Sequence, residues 1–328
     1  PEYNILIDPD ETNYTLYKAA AVHNVIRHTS PVPAMKAVKN AAEIEGFRRS
    51  MVRDGVALVR FLMWLKPAVE RGGQTEMSVS ERLRGLRAAD PMYRDLSFDT
   101  IAGYQEHGAI VHYEADGESD AALRPEGMIL IDSGAQYADG TTDITRTVAL
   151  GPVTNEQRRV YTLVLKGHLQ LQNMKFPYGA SGTQLDAAAR MAMWREGMNY
   201  LHGTGHGVGS YLNVHEGPHQ IRMEWRPAPL VPGMTVTDEP GLYLQDRFGV
   251  RTENMLIVKD YMETEFGRFL EFEPLTLCPI DKTPIIVSML TDDERAWLDD
   301  YHRRVYERLS PHLLPDERQW LENACSPL

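Results

Sequence analysis

The chain has 328 residues, 43% of them hydrophobic and 24% charged, with a formal net charge of −12. That composition belongs to a globular chain with room for one large domain or two ordinary ones, and its acidity argues against nucleic acid or an anionic membrane as main partner. No run approaches the ~18 apolar residues of a membrane span, and two distant cysteines, Cys278 and Cys325, give no disulfide framework and indicate a reducing, cytoplasmic compartment.

The opening "PEYNILIDPDETNY" carries neither an initiator Met nor a signal-peptide apolar core. "YNILID" predicts a strand, a short helix follows, and the Pro-rich "HTSPVPAMK" predicts a boundary. Over 40–64 the pattern is helical: Asn40 and Glu43 have capping-box spacing, and Ile44, Phe47, Met51, Leu58, Leu62 and Leu65 recur on one face. A second helix is expected over 77–89, stopping before Pro91, then extended segments around 97–114 and 128–150.

The plan then repeats. Thr154 and Gln157 have capping-box spacing before "RRVYTLVLKGHLQLQ", Thr183 and Asp186 predict a further helix toward Met198, and extended segments are expected at 200–216, 233–244 and 250–258. "RPEGMILID" and "VPGMTVTDE" each run from Pro through Gly-Met into a strand that ends on a carboxylate. In each half a glycine, Gly140 or Gly249, opens a second strand with a carboxylate soon after it. The offsets differ by one residue, so matched facing requires a bulge or register change. Beyond Gly267 come the extended "FLEFEPLTLCPI" and two helices, over 291–309 (T-D-D-E, another capping box) and 315–324.

The candidate site residues are Asp132, Asp143, His206, Glu239 and Glu253. Asp132 and Asp143 bracket "DSGAQYADGTTD", where a hairpin would bring both to one face; Glu239 and Glu253 sit in a second hairpin in the same way. Four unit charges about 4 Å apart repel by roughly 4 kcal/mol per pair at an effective dielectric near 20. Without cations they would protonate or force the site open. Two divalent ions supply four positive charges, with a neutral imidazole as fifth ligand, which is the balance of a two-metal hydrolytic site. "HGTGHGVG" at 202–209 supplies that imidazole; it is neither H-E-x-x-H nor G-x-G-x-x-G, and extended backbone would put His202, Thr204 and His206 on one face. Arg251 could orient carboxylates through a bidentate contact or form a plain salt bridge.

With these five positions in order, the chain resembles the pita-bread metallopeptidases, the group containing methionine aminopeptidase, prolidase and aminopeptidase P. The resemblance implies an α+β fold: a pseudo-twofold repeat of helix pairs around a curved antiparallel sheet, with a C-terminal helical extension. It maps the family's ligands onto Asp132, Asp143, His206, Glu239 and Glu253, and places His112 in "AIVHYEA", His202, and His215 in "LNVHEGP" along the substrate site as proton-handling groups. His168 and His219 receive no role. Residues 33–262 would be the catalytic domain and 263–328 an extension like that of the three-domain aminopeptidase P enzymes. Residues 1–32 resemble the tail of a preceding non-catalytic domain, so most of two N-terminal domains would be missing.

The implied activity is that of a Xaa-Pro aminopeptidase, in which a hydroxide bridging two divalent metals attacks the scissile carbonyl and Glu239 also shuttles the proton. The implied metal is manganese, with cobalt, zinc or iron as alternatives, and the implied partners are N-terminal Xaa-Pro peptides and a second copy in a homodimer. Two rivals stand: an Xaa-Pro dipeptidase of prolidase type, and a non-catalytic binding protein reusing the fold.

Overall fold

The structure is a computed structural model, and it describes residues 3–328. The chain opens with strand β1 (Asn4–Ile7), helix α1 (Tyr14–Ala20) and strand β2 (Asn24–Arg27), β1 and β2 pairing in parallel. The Pro-rich stretch contains a short helix. Val32–Ala37 forms helix α2 from Pro31 onward, since a proline at the helix start loses no hydrogen bond. Helix α3 (Ala41–Glu70) begins where the Asn40–Glu43 capping box predicts, but it continues past Trp64 and carries Pro67 in its last turn. Helix α4 (Glu76–Ala88) follows, capped by Thr75.

Between α4 and the first carboxylate, the stretch around 97–114 expected to be extended is strand only in part. Strands β3 (Tyr93–Leu96) and β4 (Ile101–Tyr104) are short, and a 3-10 turn over Gln105–Ala109 leads into a loop that carries His112. Then come β5 (Met128–Ser133), β6 (Ala135–Tyr137), β7 (Gly140–Thr141) and β8 (Ile144–Ala149). The second half opens with α5 (Asn155–Gln172), β9 (Lys175–Pro177) and α6 (Gly182–Trp194). Helix α6 starts one residue before Thr183, its cap being Ser181, whose N–H donates to Gln184 Oε1 (2.8 Å). Asp186 lies inside the helix, buried against Arg190 (2.6 Å), and has no capping role.

Strands β10 (Gly205–Gly207), β11 (Glu216–Ile221), β12 (Thr235–Asp238), β13 (Gly241–Leu244), β14 (Phe248–Arg251), β15 (Asn254–Thr264) and β16 (Gly267–Pro274) follow, so 200–216 is mostly loop. Helices α7 (Asp292–Leu309) and α8 (Pro315–Ala324) close the chain as expected. Six strands form one sheet in the order β11-β10-β12-β15-β16-β9, and β4-β5-β8 form a second.

The α+β pita-bread expectation holds. Helix pairs α3–α4 and α5–α6 each precede a set of carboxylate-bearing strands. The main core joins Phe47, Met51 and Val59 of α3, Val160 and Val164 of α5, Met255 and Ile257 of β15, and Leu298 and Val305 of α7. Each such buried side chain contributes roughly 1.5–3 kcal/mol, enough together to hold polar, mutually repelling groups in the space between the sheets.

Candidate active site

Three of the five candidate ligands, Asp143, Glu239 and Glu253, sit just outside the strand ladders, whereas Asp132 and His206 lie within paired strands. Asp132 lies in β5 opposite Thr145 of β8, which puts Asp143 one residue short of the strand, beyond the small β6–β7 excursion. In the second half, Asp238 pairs with Asn254 across β12–β15, and Gly241 pairs with Arg251 across β13–β14. Glu239 and Glu253 therefore face each other in the gap between the two ladders. The one-residue mismatch between the halves is absorbed at these breaks.

One ligand atom each from Asp143, His206 and Glu253 lies within 4.8 Å of the other two. His206 Nε2 stands 3.4 Å from Asp143 Oδ2 and 3.4 Å from Glu239 Oε1. All five residues line one cavity of about 630 Å³, together with His112, His202, His215 and Arg251. Asp132 is turned differently from the others. Its Oδ2 accepts from Arg251 Nη2 at 2.6 Å, while Oδ1 is buried without a hydrogen-bond partner.

Local chemistry fixes the tautomer of both glycine-loop histidines. His206 Nδ1 faces the Gly207 carbonyl at 3.0 Å, so Nδ1 carries the proton and Nε2 presents a lone pair to the carboxylates. His202 Nδ1 donates likewise to Gly203 O (2.7 Å), leaving Nε2 to accept from the Tyr243 hydroxyl at 2.8 Å. Burial lowers the pKa of His206 to about 3 and that of His202 to about 4, keeping both rings neutral. Thr204 does not share their face: it is buried and donates to Asp186 while meeting the Tyr200 hydroxyl.

Arg251 makes a single-ended contact with Asp132, not a bidentate one. Its Nη1 donates to Tyr243 OH (2.8 Å) and its Nε to Thr145 Oγ1 (3.1 Å), so one guanidinium orients a carboxylate, a tyrosine and a threonine. Thr145 in turn donates to Glu253 Oε2 (2.8 Å), and Thr237 to Glu239 Oε1 (3.2 Å).

The carboxyls respond to their company. Burial first, then the charges of Asp132 and Glu239, push Asp143 well above the usual carboxylate range. Burial and then Asp143 do the same to Glu253, and burial, opposed by Arg251 and reinforced by Asp132, raises Glu239. Repulsion of this kind disappears when cations sit among the groups. Four carboxylates, an imidazole lone pair and the orphaned Asp132 Oδ1 fit two divalent ions.

Sequence reasoning missed Tyr243, Thr145 and Thr237. The signal available for Tyr243 was its place in the β13–β14 hairpin, two residues from the position paired with Arg251. His168 proves to be buried behind the site, its Nδ1 3.0 Å from Asp238 Oδ2, whereas His219 is buried with Nε2 on Thr235 O (2.7 Å).

Comparison with known proteins agrees with this architecture. The chain belongs to metallopeptidase family M24, whose model matches residues 45–260, and the family's C-terminal region matches residues 268–328. It is 43% identical over 327 residues to a probable Xaa-Pro aminopeptidase P of Laccaria bicolor, covering 97% of this chain and 51% of that one. It is 42% identical to aminopeptidase P1 of Arabidopsis thaliana, covering 98% of this chain and 54% of that one. The chain thus spans about half the length of the curated relatives it matches. Among solved structures, an X-prolyl aminopeptidase from Caenorhabditis elegans, described as a cytosolic enzyme with a di-nuclear active site, superposes with a TM-score of 0.92 at 39% identity, covering 99% of this chain and 54% of that one. An Xaa-Pro dipeptidase from Bacillus anthracis follows at 0.72 and 27% identity, covering 85% and 73%.

Proposed function

We propose that this chain carries the catalytic site of a Xaa-Pro aminopeptidase, which releases the N-terminal residue from peptides with proline in second position. The observation that carries the reading is the convergence of four carboxylates and one neutral imidazole on a single cavity, with His112, His202 and His215 beside them. Asp132, Asp143, His206, Glu239 and Glu253 would hold two divalent ions. The hard, oxygen-rich donor set favours manganese, with cobalt, zinc or iron as substitutes. Bound there, the ions would supply a water acidified toward neutral pH and Lewis acidity for the scissile carbonyl.

The chain's own residues do the rest. Glu239, steadied by Thr237, takes a proton from the attacking water and returns it to the leaving amine. His202 is held by Gly203 and Tyr243 with its ring turned to the cavity. His112 and His215 are exposed at the cavity wall and free to meet a peptide. Partial burial and then His112 lower the His215 pKa, so at neutral pH this ring is ready to accept a proton.

We assign catalysis to residues 33–262 and treat 263–328 as the C-terminal extension; the boundary falls within the β15–β16 hairpin. The match of residues 268–328 to the family's C-terminal region, and the higher TM-score against the aminopeptidase, favour an aminopeptidase over a dipeptidase. Retention of all five ligand types argues against a non-catalytic binding protein. Assembly as a homodimer and a cytoplasmic location belong to the same reading; the two buried, unpaired thiols of Cys278 and Cys325 suit a reducing compartment.

The test is hydrolysis of a matched set: a Xaa-Pro-Xaa tripeptide, the same peptide with alanine in place of proline, and the Xaa-Pro dipeptide. The reading requires Mn²⁺-dependent release of the first residue from the proline tripeptide in preference to the other two. Preference for the dipeptide would transfer the chain to the prolidase type, and no turnover of any of them would favour a binding protein.

A further inference from the structure

Behind Glu253 lies a buried arginine that the proposed chemistry does not use. Arg146, on β8 three residues beyond Asp143, is 4% exposed. Its Nη1 donates to Thr145 O (3.0 Å) and Glu253 O (2.6 Å). Its Nη2 meets Asn254 Oδ1 (2.9 Å), Cys278 O (2.8 Å) and Tyr301 OH (2.9 Å), and its Nε donates to Pro279 O (3.2 Å). All six partners are neutral oxygens. A guanidinium so held neutralises no carboxylate; its rigid fork of donors fixes the relative positions of backbone segments.

The segments it fixes are informative. Glu253 is gripped at both ends of its backbone: its N–H donates to Thr145 O (3.1 Å) and its carbonyl accepts from Arg146. The next residue, Asn254, accepts at Oδ1 from Arg146 and from Tyr301 OH (3.2 Å). Asn254 Nδ2 donates to Gln172 Oε1 (2.8 Å) and lies 3.2 Å from His168 Nε2. His168 in turn stands against Asp238, the residue before Glu239. Three of the groups that hold Arg146, namely Tyr301 of α7 and the carbonyls of Cys278 and Pro279, come from beyond the β15–β16 hairpin, in the region matched by the family's C-terminal model.

We propose that the C-terminal region is a positioning element of the metal centre: Tyr301 and the 278–279 carbonyls hold Arg146 and Asn254, and through them set the carboxylate of Glu253. This rests on the reading of Glu253 as a metal ligand. Groups that orient ligands from behind typically change metal affinity by about 10–100-fold when removed. Tyr301 is therefore a positioning residue, and its hydroxyl matters apart from the packing of its ring.

The experiment is calorimetric titration of Mn²⁺ into ion-free protein, for the wild-type chain, Tyr301→Phe and Leu321→Ala, with the Tm of each ion-free protein as companion measurement and titration well below all three values. Phenylalanine keeps the ring and removes one hydroxyl; Leu321 is buried in α8, belongs to the same core and makes none of the hydrogen bonds that hold Arg146. The expected result is a Kd for Mn²⁺ raised about 10-fold in Tyr301→Phe, with Leu321→Ala lower in Tm but unchanged in Kd. Wild-type Kd in Tyr301→Phe would overturn the proposal, and so would an equal Kd shift in Leu321→Ala, because general loosening would then explain both. Failure of the wild-type chain to bind Mn²⁺ would instead overturn the metal reading beneath it.

Discussion

At the scale of single residues, the site divides into groups held rigidly and groups left free. His202 and His206 have both ring nitrogens engaged or aimed, and burial keeps them neutral. His215 is exposed, with its ring edge-on to His206 at 4.2 Å between centroids. On the proposed reading His215 meets the amine only as it leaves, and a contact of that kind appears in kcat. His215→Ala is therefore expected to lower kcat by roughly 10²–10⁴ while leaving Mn²⁺ stoichiometry and Tm near wild type. Steady-state kinetics showing a normal kcat would return His215 to a structural role. Asp132, Asp143, Glu239 and Glu253 stand out in the sequence because carboxylates recur in matching contexts, and the structure brings all four and His206 to one cavity. Tyr243 and Thr145 do not stand out, since a lone tyrosine or threonine carries no chemical signature until Arg251 is seen between them.

At the scale of elements, the helices and the extended stretches at 128–150, 233–244 and 250–258 were legible, and the segments 97–114 and 200–216 were not. Capping pairs such as Asn40–Glu43, Thr154–Gln157 and Thr291–Glu294 are local, and each starts a helix where expected. The segments 97–114 and 200–216 are mostly loop, and β10, the short strand that does form in the second, packs by close backbone approach at a glycine. Gly205 shows this: a Cβ there would meet Thr237 O at 1.9 Å, a backbone atom that cannot turn aside. Gly205→Ala must push β10 away from β12, and His206 with it. The expected cost is about 1–3 kcal/mol of stability, together with weaker Mn²⁺ binding. Denaturant unfolding of ion-free protein measures the first and titration the second; wild-type values in both would show that the strands yield more easily than this geometry allows.

At the scale of the whole molecule, buried histidines outside the site make folding sensitive to acid. His302 of α7 accepts from Ile280 N–H (3.0 Å), and burial lowers its pKa to about 3. The unfolded chain takes up this proton near pH 6.5 and the folded chain does not, so stability is fully present above pH 6.5 and is lost as pH falls toward 3. Each such group contributes a slope of up to about 1.4 kcal/mol per pH unit. His302→Gln should flatten the pH dependence of urea unfolding below pH 6 by about that amount, and an unchanged slope would contradict the assignment. On the proposed reading, the helices and sheets hold four carboxylates and an imidazole within reach of two cations. Elemental analysis of purified protein tests this most directly: the account predicts close to two divalent ions per chain, falling in Asp143→Asn, where one of the four charges is removed. A single tightly held ion, unchanged in that variant, would contradict it.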